Sequence, residues 1–277
     1  MPKISIIVPA FNEEGGIEKT IADIRKYLNE DCELIVVNDG SQDNTGQILQ
    51  KISGVKVIDH PVNRGYGAAL KSGIKKSQGD YVLIIDADGT YPTESIPKLI
   101  SQIDDFDMVV GERTNAKSIP FLRKPAKWFL SKLANYLTST KIPDLNSGLR
   151  IIKKDVLLKF INLLPNGFSF TTTITLALLT SGYQVKYIPI DYYKRVGKSK
   201  IKPVRDTLNF LQLIIRTILY FNPLKIFIPF SLLLFLLSIG VLVFSYFYIS
   251  NVPDMTLAIL LMLAIQMLGI GMLADLI

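Results

Sequence analysis

Asp86 and Asp88 stand one residue apart at the end of an apolar run, Tyr81-Val82-Leu83-Ile84-Ile85. Such a run reads as a buried strand of a parallel sheet. In an open α/β sheet, ligands bind beyond the carboxyl ends of the strands, so these acids lie where chemistry is expected. Two carboxylates at this spacing can converge on one hard cation that keeps positions open for phosphate oxygens. That arrangement suits a nucleoside diphosphate as leaving group. Glycoside hydrolysis fits poorly, because its two carboxyls flank a bond from opposite sides about 5 Å or more apart. A bare Asp-x-Asp is equally often two solvated acids in a turn, so its neighbours must decide.

Four further segments carry groups of the right kind. Val8-Pro9-Ala10-Phe11-Asn12-Glu13-Glu14 follows the first apolar run, where a loop can grip a base or ribose, although Asn-Glu-Glu is also an ordinary helix start. Val37-Asn38-Asp39-Gly40-Ser41 ends the second run; Asp39 can accept hydrogen bonds from a base edge, and Gly40 permits close backbone approach. Asn63-Arg64-Gly65-Tyr66-Gly67 introduces a helix whose entrance could meet phosphate, a tight turn being the plainer reading. Pro143-Asp144-Leu145-Asn146-Ser147-Gly148-Leu149-Arg150 is a polar loop ahead of the apolar pair Ile151-Ile152. His60 is the single histidine, so neither a histidine-based triad nor a histidine metal cluster can be built. Trp128 reads as packing.

The elements that must position these residues alternate. Strands are expected at Ile4–Val8, Leu34–Asn38, Val55–Ile58, Tyr81–Ile85 and Asp107–Val110. Helices are expected near Gly16–Leu28, Asn44–Ile52, Gly67–Ser77 and Thr93–Ile103. This is the pattern of a largely parallel sheet covered on both faces. An amphipathic stretch, Ala126–Thr138, follows a Lys/Pro-rich passage.

Beyond Pro203 the composition changes. Between Val204 and Phe221, Arg205, Asn209, Gln212 and Arg216 recur at helical spacing as one polar stripe on an otherwise apolar helix, which favours a place in a membrane interface. Ile226–Ile249 and Met255–Ala274 carry no charge, and each is long enough to cross a hydrocarbon core of about 30 Å at ~1.5 Å per residue. The turn between them has no Lys or Arg, whereas the segment before them is rich in both, so the large N-terminal domain is expected in the cytosol. The N-terminal apolar stretch is too short for a signal peptide. Cys32, the one cysteine, agrees with a reducing compartment. The net charge of +7 points to a lipid surface more than to nucleic acid, for which no motif is present. The expected division is a catalytic domain over 1–203, an interfacial helix over 204–222 and a membrane hairpin over 223–277.

Taken in order, Ile7-Val8-Pro9-Ala10-Phe11-Asn12-Glu13-Glu14, Asn38-Asp39-Gly40-Ser41, Asp86-Ala87-Asp88, Ser147-Gly148-Leu149-Arg150 and Arg195-Val196-Gly197-Lys198-Ser199-Lys200 resemble the inverting family 2 glycosyltransferases. The likeness is greatest to the polyprenyl-phosphate sugar transferases, such as the dolichol-phosphate mannose and glucose synthases. It implies a GT-A (Rossmann-like) α/β fold, a nucleotide-sugar donor, Mg²⁺ or Mn²⁺, and a polyprenyl or dolichyl phosphate acceptor. A UDP-sugar such as UDP-glucose is favoured, with GDP-mannose the other candidate. Carried over, Pro9, Phe11 and Glu13 would surround the nucleoside, Asp39 would hold the base, and Asp86 would support the nucleoside end or the metal. Asp88 would be the principal metal ligand, and Arg113 matches a family arginine near the diphosphate. The sequence departs from the family at Thr90, where mannose synthases have a metal-binding Gln, at Leu149, usually Phe, and at Thr173, where many relatives carry an acid.

A phosphate acceptor brings its own nucleophile, with a second pKa near 6. Catalysis then rests on placement and charge neutralisation. Asp144 is the candidate carboxylate on the acceptor side, for orientation or proton removal, with capping of the turn before Ser147-Gly148 as its plainer role. Arg195, Lys198 and Lys200 form the expected acceptor-phosphate clamp, within a basic run that lipid headgroups would attract. A processive polysaccharide synthase is the nearest alternative, but its Gln-x-x-Arg-Trp motif is absent, since Lys127 precedes the only tryptophan, Trp128. A non-catalytic nucleotide-sugar-binding membrane protein is the other. Self-association on so thin a membrane platform is plausible.

Overall fold

The computed structural model describes residues 3–28, 30–114, 132–136, 138–167, 169–193, 212, 215–217, 219–248 and 254–276. It divides into two units, 1–211 and 212–277.

The first unit is built on a seven-stranded sheet. Its strands are β1 (Ile4–Ala10), β2 (Cys32–Asn38), β3 (Lys56–Asp59), β4 (Tyr81–Ile84), β5 (Met108–Arg113), β6 (Arg150–Lys153) and β7 (Val185–Ile190). The order across the sheet is β3-β2-β1-β4-β6-β5-β7. β3, β2, β1 and β4 run parallel, with Ile4 opposite Cys32 and Tyr81. All seven residues of β1 are buried. A strand covered on both faces needs apolar residues at every position, which is why the Ile/Val run shows no alternation.

Helices α1 (Ile17–Arg25), α2 (Thr45–Lys51), α3 (Tyr66–Lys76) and α4 (Ile96–Ile100) follow β1 to β4 in turn. The bulk of α1 reaches the sheet through Ile17, Ile21 and Ile24, spaced to face one side, in a cluster with Ile6, Val8 and Val36. On α3, Gly73 lets the helix approach closely: a Cβ there would lie 2.6 Å from Ile7 Cγ2. The expected strands and helices of this half are present to within a few residues. Thr93–Ile103 is shorter than expected, a 3₁₀ turn at Thr93–Ser95 leading into α4.

The sheet is largely parallel, as expected, with one exception in its second half. β6 runs antiparallel to both β4 and β5, with Ile84 opposite Arg150 and Met108 opposite Ile152. β5 and β7 are parallel. Helices α5 (Lys154–Phe160) and α6 (Phe170–Thr180) lie between β6 and β7. This mixed sheet puts the ends of β1, β2 and β4, the end of β5 and the start of β6 at one edge.

The second unit holds α7 (Leu224–Tyr248) and α8 (Asp254–Asp275), both long and apolar enough to cross a membrane. Their contact is made by small and hydroxyl residues. Ser231 Oγ donates to the Ala264 carbonyl at 2.7 Å, and Gly271 lies against Phe227, where a Cβ would come within 2.5 Å. Small residues let two backbones approach where no hydrophobic effect drives them together. The interfacial helix expected at 204–222 lies largely outside the described residues; of it, 212, 215–217 and 219–221 are helical.

Candidate active site

β4 delivers Asp86 and Asp88 to the sheet edge, both half-buried. The Tyr66 hydroxyl donates to Asp86 Oδ1 at 2.9 Å. Asp88 Oδ1 accepts from the Thr90 hydroxyl at 2.6 Å and from the Thr90 amide at 3.2 Å. Burial first, then repulsion from Asp88, push the Asp86 carboxyl up to about 6, against the Tyr66 hydrogen bond and the charges of Arg113 and Arg150. A Cβ on Gly148 would lie 2.2 Å from Asp86 Oδ2, so the loop before β6 closes onto this carboxylate only because position 148 has no side chain.

The donor set here is two hard carboxylate oxygens, and no group of three or more His, Cys, Asp or Glu residues that could hold a metal occurs among the described residues. A divalent cation bound by Asp86 and Asp88 would therefore depend on ligand oxygens to complete its shell. The repulsion between the two acids is what such a cation relieves, so the residues fit Mg²⁺ or Mn²⁺. Thr90 directs its hydroxyl at Asp88 and supports that carboxylate.

Asp144 and Arg113 form a close pair. Arg113 Nε donates to Oδ2 at 2.7 Å and Nη2 to Oδ1 at 2.8 Å. The Arg113 amide donates to Oδ2 at 3.2 Å and the Asn146 amide to Oδ1 at 3.2 Å. Burial alone would raise the Asp144 carboxyl, but the Arg113 hydrogen bonds and charge hold it below the usual carboxylate range. Burial would lower Arg113, and Asp144 foremost raises it instead. The guanidinium also lies over the Tyr192 ring, 5.3 Å from its centre. Tyr192 meets Tyr91 edge to face, and the Tyr91 hydroxyl accepts from the Gly148 amide at 2.6 Å. Tyr193 is tied in as well, its amide to the Thr90 carbonyl and its hydroxyl to Glu94. The chain entering the basic segment is thus anchored on the acid loop. Arg195, Lys198 and Lys200 themselves lie outside the described residues, as does Trp128.

Asp39, expected to hold the base, is engaged by its own chain. Its side chain is only 3% exposed. Oδ1 pairs with His60 Nδ1 at 2.6 Å and accepts from the Arg64 amide at 3.0 Å, and Oδ2 accepts from the Gly65 amide at 2.8 Å. Most of a carboxylate's acceptor capacity is taken by its own chain. His60, given no role by the sequence beyond excluding a triad and a histidine metal cluster, is the bracket: its Nε2 lies 2.8 Å from Ser72 Oγ on α3. The glycine-rich entrance of α3 is likewise closed to phosphate. The Asn166 carbonyl accepts from the Ala68 amide at 3.0 Å, and a Cβ on Gly67 would lie 2.1 Å from the Pro165 carbonyl oxygen.

Pro9 is buried in β1, and Phe11 and Glu13 are half-buried on the loop beyond it. That loop is zipped to the one after β2: the Asn12 amide donates to Ser41 Oγ at 3.0 Å and the Glu13 amide to Thr45 Oγ1 at 2.9 Å. Asn12 takes the left-handed conformation at φ 54°, which asparagine tolerates better than most residues.

Sequence reasoning missed Tyr66, His60, Gly148 and Arg150. Arg150 is fully buried and donates to the Ser147 and Thr171 carbonyls and to Thr175 Oγ1. Its charge reaches Asp86 without touching it. A buried arginine satisfied by neutral oxygens has no local sequence signal.

The model of glycosyl transferase family 2 matches residues 5–160, and that of the GtrB C-terminal hairpin matches residues 222–277. A dolichyl-phosphate hexose transferase of Haloferax volcanii is 30% identical over 203 residues, covering 72% of this chain and 87% of the relative. A bactoprenol glucosyl transferase of Shigella phage SfX is 30% identical over 99% of this chain and 93% of its own length. Among solved structures, glucosyl-3-phosphoglycerate synthase from Mycobacterium tuberculosis, in complex with Mn²⁺, UDP and phosphoglyceric acid, superposes with a TM-score of 0.63. At 20% identity over 78% of each chain, that likeness speaks for the fold.

Proposed function

This chain belongs to glycosyl transferase family 2, and from that premise we propose that it transfers a hexose from a nucleotide sugar to a polyprenyl phosphate at the cytosolic face of a membrane. The observation that carries the reading is one chain combining a half-buried carboxylate pair, Asp86 and Asp88, beside Arg113, with two helices able to span a bilayer. Relatives named for dolichyl-phosphate and bactoprenol transfer support the acceptor class. UDP-glucose is the favoured donor and GDP-mannose the other candidate.

In this reading the donor diphosphate lies at the β4 edge. A divalent cation held by Asp86 and Asp88 would supply Lewis-acid neutralisation of the departing phosphates. Arg113 adds a fixed positive charge from the other side of the site. Pro9, Phe11 and Glu13 line the nucleoside end, and Asp39 shapes that wall through the 60–65 loop. An oxygen of the acceptor phosphate attacks the anomeric carbon, the bond from that carbon to the donor phosphate oxygen breaks, and the configuration inverts. A phosphate monoester with a second pKa near 6 is already largely dianionic at neutral pH, so no protein base is needed. Arg195, Lys198 and Lys200 clamp the acceptor phosphate. Its polyprenyl tail, at ~0.8 kcal/mol per buried CH₂, stays in the lipid, where the hairpin keeps the enzyme.

The test is a panel of nucleotide sugars with a short polyprenyl phosphate and Mn²⁺, read by mass spectrometry of the lipid. One glycosylated lipid, with nucleoside diphosphate released only when acceptor is present, is the expected result. Release that ignores the lipid phosphate would overturn the acceptor class. Replacing Arg195, Lys198 and Lys200 together by Gln should raise the acceptor KM and leave donor binding in place.

A further inference from the structure

Every acceptor position of the Asp144 carboxylate is taken. Oδ2 receives Arg113 Nε at 2.7 Å and the Arg113 amide at 3.2 Å; Oδ1 receives Arg113 Nη2 at 2.8 Å and the Asn146 amide at 3.2 Å. A carboxylate offers about four lone-pair sites, so none is left for a proton from a substrate. Freeing one would break a fork–fork pair whose side chains are only 22% and 11% exposed, leaving both charges poorly solvated.

The pair also fixes which part of Arg113 can meet a ligand. Asp144 covers the Nε–Nη2 edge and the Tyr192 ring covers one face. Nη1 has no acceptor among the described residues, and the guanidinium charge is felt at Asp86. We infer that Asp144 is a positioning residue that acts only through Arg113, turning the Nη1 side of the guanidinium toward an oxygen of the donor diphosphate. This rests on the reading that Arg113 faces that diphosphate. It replaces proton removal, which sequence alone left open for Asp144, and it explains why a carboxylate adjoins the phosphates: it orients a cation whose other side does the binding.

A double-mutant cycle on the full chain in detergent tests it, using UDP with Mn²⁺ as the binding probe and GDP in parallel. Arg113→Gln should weaken nucleotide binding about tenfold, the scale of one hydrogen bond to a charged group, and Asp144→Asn by a comparable factor. The double variant should be no weaker than Arg113→Gln alone, because residues acting as one unit do not add. Asp144→Glu should recover part of the loss. The acid limb of the pH–rate profile should stay where it is in Asp144→Asn. Losses that multiply in the double variant, or an acid limb that vanishes in Asp144→Asn with nucleotide affinity intact, would overturn the inference. If Arg113→Gln left nucleotide affinity unchanged, the placement of the diphosphate would fall first and this inference with it. Should Asp144→Asn fail to fold, Tyr192→Leu carries the same test: it removes the face contact, keeps both charges and should weaken nucleotide binding severalfold. Unchanged affinity in that variant would count against the positioning of Arg113.

Discussion

Asp39 just beyond β2 and Asp86 just beyond β4 lie at the same edge of the sheet, on parallel strands that flank β1, yet their surroundings differ in kind. Asp39 is closed in by His60 and by the Arg64 and Gly65 amides. Asp86 takes a hydrogen bond from the Tyr66 hydroxyl and stands beside a second acid, so burial and repulsion push its carboxyl up to about 6. One carboxylate is consumed in holding a loop, and the other is kept under electrostatic tension that a cation would relieve. Both belong to motifs of the same appearance in sequence. The chain supplies Asp39 with the His60 ring and two backbone amides, and Asp86 with the Tyr66 hydroxyl.

If that contrast is right, substitutions at the two corners should give different phenotypes. The largest effect is expected for Asp88→Asn, which removes the charge from the second member of the pair: transfer should fall by about 10³-fold, on the scale of losing one principal charge-stabilising group. Its melting temperature should stay within a few degrees, measured by circular dichroism. Next comes Gly148→Ala. The new Cβ would press on Asp86 Oδ2 and misplace that carboxylate, and displacements of that size cost about 10²-fold in steady-state rate. Thr90→Val keeps the volume but removes the hydroxyl from Asp88 Oδ1, for an expected loss of about tenfold in kcat/KM. The smallest effect on rate belongs to His60→Ala, whose signature is stability instead. Leaving the Asp39 carboxylate short of a buried partner should cost about 1–3 kcal/mol in a denaturant melt. A His60 variant that melted normally yet lost transfer would erase the distinction between the two corners.

The first half of the fold was legible because β1, β2 and β4 are mostly apolar runs followed by polar residues, and α1 carries a clear apolar stripe. β6 had no such mark. It is four residues long, visible in sequence only as Ile151-Ile152, and its partners Leu83 and Val109 are remote in the chain. Nothing local says that it will run antiparallel. α6 is buried nearly all round and rich in threonine, so it shows no stripe. At the site, the acids were readable from their place at a strand end. Their supports were not, since Tyr66 reads as part of a glycine-rich helix entrance, His60 as the end of a strand, and Gly148 as a turn. Each gains its role from an aspartate at least twenty positions away, as Tyr66 does with Asp86. The tie between Asp144 and Arg113 was hidden for the same reason, and with it the difference between a base and an anchor.

The most direct measurement is Mn²⁺ binding followed by electron paramagnetic resonance, with UDP present, on the wild-type chain and on Asp88→Asn and His60→Ala. The account predicts that wild-type protein depletes the free Mn²⁺ signal, that His60→Ala depletes it to a similar extent while folded, and that Asp88→Asn leaves it near the protein-free level. Undiminished Mn²⁺ binding in Asp88→Asn would contradict the assignment of the β4 carboxylates to the metal.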